Sequence, residues 1–579
     1  MIFLRFNILL IFVCLFCFSQ NIIAQNTYRV FLKDKSNTEY DPYTYLHPKA
    51  IERRLLHGID LCELSDFPLN SEYVRQISGL SDSVHGHSRW FNALFIYAKT
   101  ENIAKIAQLA FVDSIEKTET NYQSVACEIM SKKPDFDTSL NPKNKALLSA
   151  QLDRLGRNSL RDSGLNGKGV IICIVDVGFK SYSYNPAFEK IRQRKGILAT
   201  YDFVKKRENV DISMAHGTNV FSCLGGQAGP YQIGLATAAD YLLARTENIT
   251  EFLNEEENWL MAAEWADKQG ADIINSSLGY TSQRYVPENM DGKTTFVSRA
   301  AQTAVSKGIL VVSSAGNEGN GTWKRVAAPG DAPGVLTVGG IDPRSGIHID
   351  FSSFGPSWDK RLKPEVCAYG RTLASGKNGF TIVDGTSFSS PLVAGFAACL
   401  KQKFPHLTNI QLKELICRSG DLWPYYDYAH GYGVPQPFFL FKDTLENKPT
   451  LNITENKDEV ILSLGSALQK AFDSSVLQNL KDSLLPIPEI NSVVQDSIET
   501  DSFYINKNNS KEKYTYNTNL PDYLFYHIKN KKGYIDKYYV LDLTDELNDE
   551  IIISKSITEK PFSIELFYKG YYKELFIKE

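Results

Sequence analysis

Between residues 148 and 441, short runs of apolar residues alternate with stretches of helical periodicity, and nothing else in the chain constrains its fold as strongly. Val170–Val175 reads VIICIV, and further runs lie at Tyr241–Leu243, Asp272–Asn275 and Ile309–Ser313. A strand that is apolar on both sides must be covered on both faces, as in a parallel sheet between helices. Helical spacing at Trp259–Lys268 and Val297–Lys307 fills the gaps. The region 148–441 therefore predicts an α/β domain, a parallel sheet with helices on both faces.

The flanks read differently. Residues 25–120 predict a compact α+β unit, with a strand over 28–34 and helices near Pro48–Leu56 and Ser71–Ile77. A β-rich stretch Trp90–Ala98, a helix over Asn102–Leu109 and a strand over 112–118 complete it. Residues 121–147 are polar, with Pro134 and Pro142, and read as a linker. Beyond Phe441, 442–515 form a polar linker region rich in Asn, Ser, Lys and Asp, with a helical patch near 466–482. Residues 516–579 hold short alternating segments (YLFYHI, YYVLDL, IIIS, FSIELFYKG) that predict a small C-terminal β module.

Residues 1–24 place Arg5 ahead of an apolar core, Ile8–Phe18, and end on Ala24, the pattern of a secretory signal peptide. The expectation is an exported protein, whether secreted, surface-held or periplasmic. No later run nears the roughly 18 apolar residues that suggest a membrane span, so none is expected in the mature chain. Lys and Arg total 63 against 67 Asp and Glu, and this near balance gives no pull toward nucleic acid. The cysteines beyond the leader are widely spaced with no C-x-x-C, so buried small hydrophobes are expected rather than a zinc site.

Three segments carry chemistry. The strand VIICIV delivers Asp176 at its C-terminal end, where open α/β sheets place their sites. His216 opens a probable helix in the text HGTNV, and Ser387 sits in GTSFSSP, ahead of an apolar helix that carries Pro391 in its first turn. A hydroxyl is a poor nucleophile until an imidazole takes its proton, and a buried carboxylate holds that imidazole in the right tautomer. A helix N-terminus supplies donors for a developing oxyanion. Asn317, at the end of SSAGN, offers a second donor.

The order Asp, His, Ser, with successive members separated by 40 and 171 positions, resembles the subtilisin-type serine peptidases, the subtilases. Gly167-Lys168-Gly169, Ser276–Gly279, Phe351–Gly355, Lys363–Val366 and Gly431–Gly433 occur in the family's order as well. The resemblance covers roughly 148–441. It implies that Asp176 orients, His216 acts as general base and acid, Ser387 is the nucleophile, and Asn317 with the Ser387 N–H forms an oxyanion hole. It further implies that Ser277, Leu278, Gly279, Ala315 and Gly316 bind substrate, the first three by pairing with its backbone. No cofactor is implied for the chemistry. Structural calcium is a family habit, but 289–293 (NMDGK) is too short for a calcium loop. The implied partners are polypeptide substrates and the chain's own prosegment, residues 25–120, which is expected to bind the catalytic domain and hold it inactive. The opening region is similar to secreted subtilases of the Bacteroidetes.

Val177 follows Asp176 where Ser or Thr is usual, and Asn219 stands where a second His is frequent. Neither removes a group the mechanism needs. The leading expectation is an exported serine endopeptidase working through an acyl-enzyme. A silent binding relative or a peptide ligase on the same scaffold are the alternatives. Cys223 lies two helical turns beyond His216 and is expected in the core.

Overall fold

The computed structural model describes residues 26–118, 139–212, 214–248, 254–282, 284–437, 449–464, 502–504, 523–543 and 550–578. The expected leader, most of the stretch 121–147 and the helical patch near 466–482 lie outside them. The chain divides into two compact bodies, 1–40 with 62–120, and 41–61 with 121–579.

The first body is a four-stranded antiparallel sheet of β1 (Asn26–Leu32), β2 (Ser83–Ser88), β3 (Ala93–Ala98) and β4 (Val112–Thr118), in the order β2-β3-β1-β4. Helices Ser71–Leu80 and Thr100–Ala107 close one face, burying Ile77 and Ile106 against Tyr28, Val30, Leu94 and Ile96. Asn70 caps the first of these helices by accepting from the N–H groups of Glu72 and Tyr73.

The second body begins with a short arm, 41–61, that contains helix α1 (Pro48–Leu56). Its centre is a seven-stranded sheet. In chain order the elements are β5 (Ile171–Asp176), β6 (Ile197–Asp202), α2 (His216–Gly225), β7 (Asp240–Arg245) and α3 (Glu255–Lys268). There follow β8 (Ile273–Ser276), α4 (Phe296–Ser306), β9 (Leu310–Ser314), β10 (Leu336–Ile341), β11 (Val366–Tyr369) and α5 (Thr386–Lys403). Every neighbouring pair is parallel, in the order β11-β10-β9-β8-β5-β7-β6. The chain enters in the middle, at β5, crosses to one edge as β6, fills the gap between them with β7, and then builds outward from the other side of β5 as β8 to β11. The strand order reverses beside β5, which makes the carboxyl ends of β5 and β8 the natural place for a site.

All six residues of β5 are buried, as a strand covered on both faces must be. Helix α5 is buried without a break from Thr386 to Leu400. It starts where Gly385, at φ 143°, turns the chain as few side chains could. Pro391 lies deeper than the sequence suggests, five residues past the first helical residue, so its missing N–H leaves the Ser387 carbonyl without its helical donor. The Ser277 hydroxyl donates to that carbonyl instead, at 2.8 Å.

The C-terminal segments form two β sheets. Strands 451–455, 459–464 and 551–554 make one, and 502–504, 523–529, 535–542, 562–568 and 571–577 make the other. The hairpin 451–464 falls inside the stretch read as polar, where its alternation is short. Val460, Leu462, Leu524, Ile528, Ile564 and Leu566 share one core between the sheets. Phe525, Val540 and Phe567 pack on Leu422 and Tyr425 of the sheet domain.

Candidate active site

Asp176 ends β5 and is fully buried, while His216 opens α2. The imidazole Nδ1 lies 2.8 Å from Asp176 Oδ1, a carboxylate oxygen that also accepts from the Val177 N–H at 2.8 Å. The other oxygen, Oδ2, has no hydrogen-bond partner among the described residues. Val177 stands where a hydroxyl would be usual, and an isopropyl group has nothing to donate. Gly217 lets α2 approach this closely. Its N–H donates to the Gly178 carbonyl at 3.0 Å, and a Cβ there would meet that oxygen at 2.5 Å and Asp176 Cβ at 3.0 Å.

Burial pulls the His216 imidazole down, but the Asp176 charge, the Asp176 hydrogen bond and the Glu247 charge together outweigh it, so His216 stands above its ordinary value. Glu247 follows β7 by two residues. Burial pushes it up to about 7, and the Asp176 charge adds to that. Nothing in the sequence marked Glu247. What brings it to the site is the parallel register that sets Arg245 beside Asp176.

Ser387 is buried in the first turn of α5. Its hydroxyl donates to the Ser277 carbonyl at 3.1 Å in this structure. The adjoining Phe388 ring lies 5.4 Å, centroid to centroid, from the His216 imidazole, which places the serine and histidine segments side by side. Being second in its helix, Ser387 offers an N–H with no intrahelical acceptor.

Asn317 is fixed at its carbonyl end. Its Oδ1 accepts the Thr386 N–H at 2.9 Å and lies 2.9 Å from the Thr386 hydroxyl, so the amide nitrogen points away from that pair. Ser277 is tied twice to the start of α5, its hydroxyl donating to the Ser387 carbonyl and its carbonyl accepting from the Ser387 hydroxyl, and its hydroxyl also accepts from Asn275 Nδ2 of β8 at 3.0 Å. Ser390 donates to Asn275 Oδ1 at 2.9 Å and closes the network. Asn275, Thr386 and Ser390 escaped the sequence reading, although two of them belong to the GTSFSSP text. Leu278 is buried, and Gly279 is exposed at the edge. The Ala315 backbone is engaged inside the fold, donating to Val338 and accepting from Ala327. Gly316 has φ 105°, and a Cβ there would meet Ser353 Oγ at 2.8 Å.

Cys223 is fully buried, 3.8 Å from Thr372 Oγ1, and burial pushes its thiol up to about 12. Among the described residues no group of three or more His, Cys, Asp or Glu side chains could hold a metal ion, and no helix is long and apolar enough to cross a membrane.

Residues 167–439 match the model of the subtilase family, and residues 27–134 match the peptidase S8 propeptide domain of the Bacteroidota. The chain is 28% identical to serine protease AprX of Bacillus subtilis over 318 residues, covering 49% of this chain and 69% of that protein. It is 29% identical to subtilisin NAT of Bacillus subtilis subsp. natto over 262 residues, covering 44% and 61%. Among solved structures, MycP1 from the ESX-1 type VII secretion system matches with a TM-score of 0.43 at 23% identity, over 57% of this chain and 93% of that one. Subtilase chemistry requires no cofactor. A seven-stranded parallel sheet with helices, preceded by a propeptide domain and joined to the two family models and the curated relatives, identifies the chain as a subtilisin-like serine peptidase.

Proposed function

We propose that the chain is an exported endopeptidase that cleaves polypeptides through Asp176, His216 and Ser387. Turning about its own χ1, the Ser387 hydroxyl leaves the Ser277 carbonyl and faces His216. As Oγ attacks the scissile carbonyl, its proton passes to His216 Nε2, while Nδ1–H stays on Asp176. The oxyanion accepts from the Asn317 amide and the Ser387 N–H. Collapse of the tetrahedral intermediate expels the amine, which takes the proton back from His216. Water then attacks the acyl-enzyme, with His216 again as base. Ser277, Leu278 and Gly279 pair with the substrate backbone on one side, and Ala315 and Gly316 wall the other.

The observation that carries this reading is the 2.8 Å bond from a fully buried Asp176 to His216, beside a serine in the first turn of α5. Treating the protein with a fluorophosphonate and mapping the labelled peptide tests it. Label on Ser387, lost in Ser387→Ala together with casein hydrolysis, is expected. Labelling that persists in that variant refutes the assignment.

Export rests on residues 1–24 and on the propeptide domain. Fractionation of the producing cells should find the protein outside the cytosol, trimmed near Ala24. A cytosolic chain with an intact leader refutes it.

A further inference from the structure

The arm 41–61 leaves the first body after Tyr40 and rejoins it at Cys62, yet it packs with the peptidase body. It lies within the matched propeptide domain. Its partners mark where it sits. Lys49 Nζ pairs with Asp272 Oδ2 at 2.9 Å and donates to the Gly169 carbonyl, just ahead of β8 and β5. Arg53 Nε donates to the Lys307 carbonyl at 3.1 Å and Nη1 donates to the Ala271 carbonyl, at the ends of α4 and α3. Both Arg53 and Arg54 pair with Asp267 in the last turn of α3, the second at 2.6 Å, and all three side chains are at most 3% exposed. His57 donates from Nδ1 to the Arg53 carbonyl at 2.6 Å and accepts the Asn409 N–H at Nε2, at 2.8 Å.

All of these groups lie at the amino ends of the strands. Asp176, Ser277 and Asn317 lie at the carboxyl ends, about 16 Å away across a six-residue strand. The surface is also shaped for the arm. Gly270 and Gly308 end α3 and α4 at φ 83° and 86°, and their missing side chains make the room. A Cβ on Gly270 would come 2.9 Å from His47 Nδ1, and one on Gly308 would come 3.1 Å from the His57 ring. Two cations thus cover two helix C-termini, where the unsatisfied carbonyls and the negative dipole end gather. They also neutralise a carboxylate that is out of reach of water.

From this we infer that the arm is a lasting part of the peptidase. When a peptide bond in the 121–147 stretch is hydrolysed, the N-terminal fragment stays bound as a second chain, held by the arm, whose contacts lie at the amino ends of the strands and away from Ser387. Occupying the active-site cleft is then unnecessary for holding the fragment. Expelling the arm would break both ion pairs of Asp267 and take from Arg53 the Ala271 and Lys307 carbonyls that it covers. The inference rests on the N-terminal domain being a removable prosegment, but not on the triad assignment.

The test uses the full chain in the Ser387→Ala background, with a recognition sequence for a site-specific protease inserted between 121 and 138. After cutting, the two pieces should co-elute in size exclusion at micromolar concentration and give one mass in native spectrometry. Amides of 48–56 should keep their protection from hydrogen exchange. Arg54→Met should weaken retention on the order of 10²–10³-fold, the effect of breaking a buried pair. If Arg54→Met does not fold, Asp267→Asn on the other side of the pair provides the same test. Separation of the parent pieces on cutting overturns the proposal. So does retention indifferent to both substitutions, which would place the hold elsewhere. Fluorophosphonate labelling of the active chain is read separately, so a failure here leaves the nucleophile assignment standing.

Discussion

Gly217→Ala is a test of how finely the Asp176–His216 pair is set. The substituted Cβ would lie 2.5 Å from the Gly178 carbonyl oxygen, 2.9 Å from Phe179 Cε1 and 3.0 Å from Asp176 Cβ. An ordinary carbon–oxygen approach is about 3.3 Å, so α2 must back away from the end of β5 by about 0.8 Å. That movement separates the two groups the Asp176–His216 hydrogen bond joins. A misplacement near 1 Å costs on the order of 10²-fold in rate, and overpacking costs about 1–3 kcal/mol in stability. The assay is kcat/KM on a peptide substrate, with the fluorophosphonate labelling rate and thermal unfolding alongside. The expected result is a folded protein, slower in both reactions by about two orders of magnitude. Gly79→Ala is the control, because Gly79 sits on an exposed helix face with nothing within 4 Å of its added carbon. If Gly217→Ala keeps kcat/KM within about threefold of the parent, well short of the cost of such a misplacement, the steric reasoning fails.

Asn317→Ala should lower kcat on the order of 10²–10³-fold with little change in KM, a magnitude established on a subtilisin and carried over to this site. An unchanged kcat would show that the side chain only holds Thr386. Glu247→Gln bears on the pH profile. His216 must be neutral to accept a proton, and the Glu247 charge helps to raise it, so removing that charge should move the acid limb of kcat/KM to lower pH. A limb that stays or moves upward contradicts this.

How much of this could be read from the residues depended on whether the signal was local. β5, β7, β8 and β9 announce themselves as apolar runs, and the texts around Asp176, His216 and Ser387 are short and dense. β6, β10 and β11 were not legible. β6 is a half-exposed edge strand and β11 has four residues. β10 carries Gly339 and Gly340, which read as a break. They are needed because added carbons there would lie 3.0 Å from Pro364 and Ile349. The first body's missed strand, β2 (SVHGHS), is largely half-buried, has no clean alternation and is broken by a bulge at its centre. Pro391 lies in the second turn of α5 and not the first, because the glycine turn at Gly385 already starts the helix at Thr386. The pairing of Arg53 and Arg54 with Asp267 spans more than two hundred residues, and no local pattern encodes it.

The order in which the fold is threaded bears on how a cell makes such an enzyme without harming itself. A chain that has emerged from the ribosome as far as residue 380 already holds Asp176, His216 and the edge at 277–279, but no Ser387. The missing hydroxyl arrives on α5, the helix buried from Thr386 to Leu400, and that helix takes its place only as the core closes around it. Completing the hydrophobic interior and acquiring the proposed nucleophile are therefore one event. On the roles proposed for His216 and Ser387, an unfinished molecule, whether stalled in synthesis or opened at α5, has a base and nothing for it to activate.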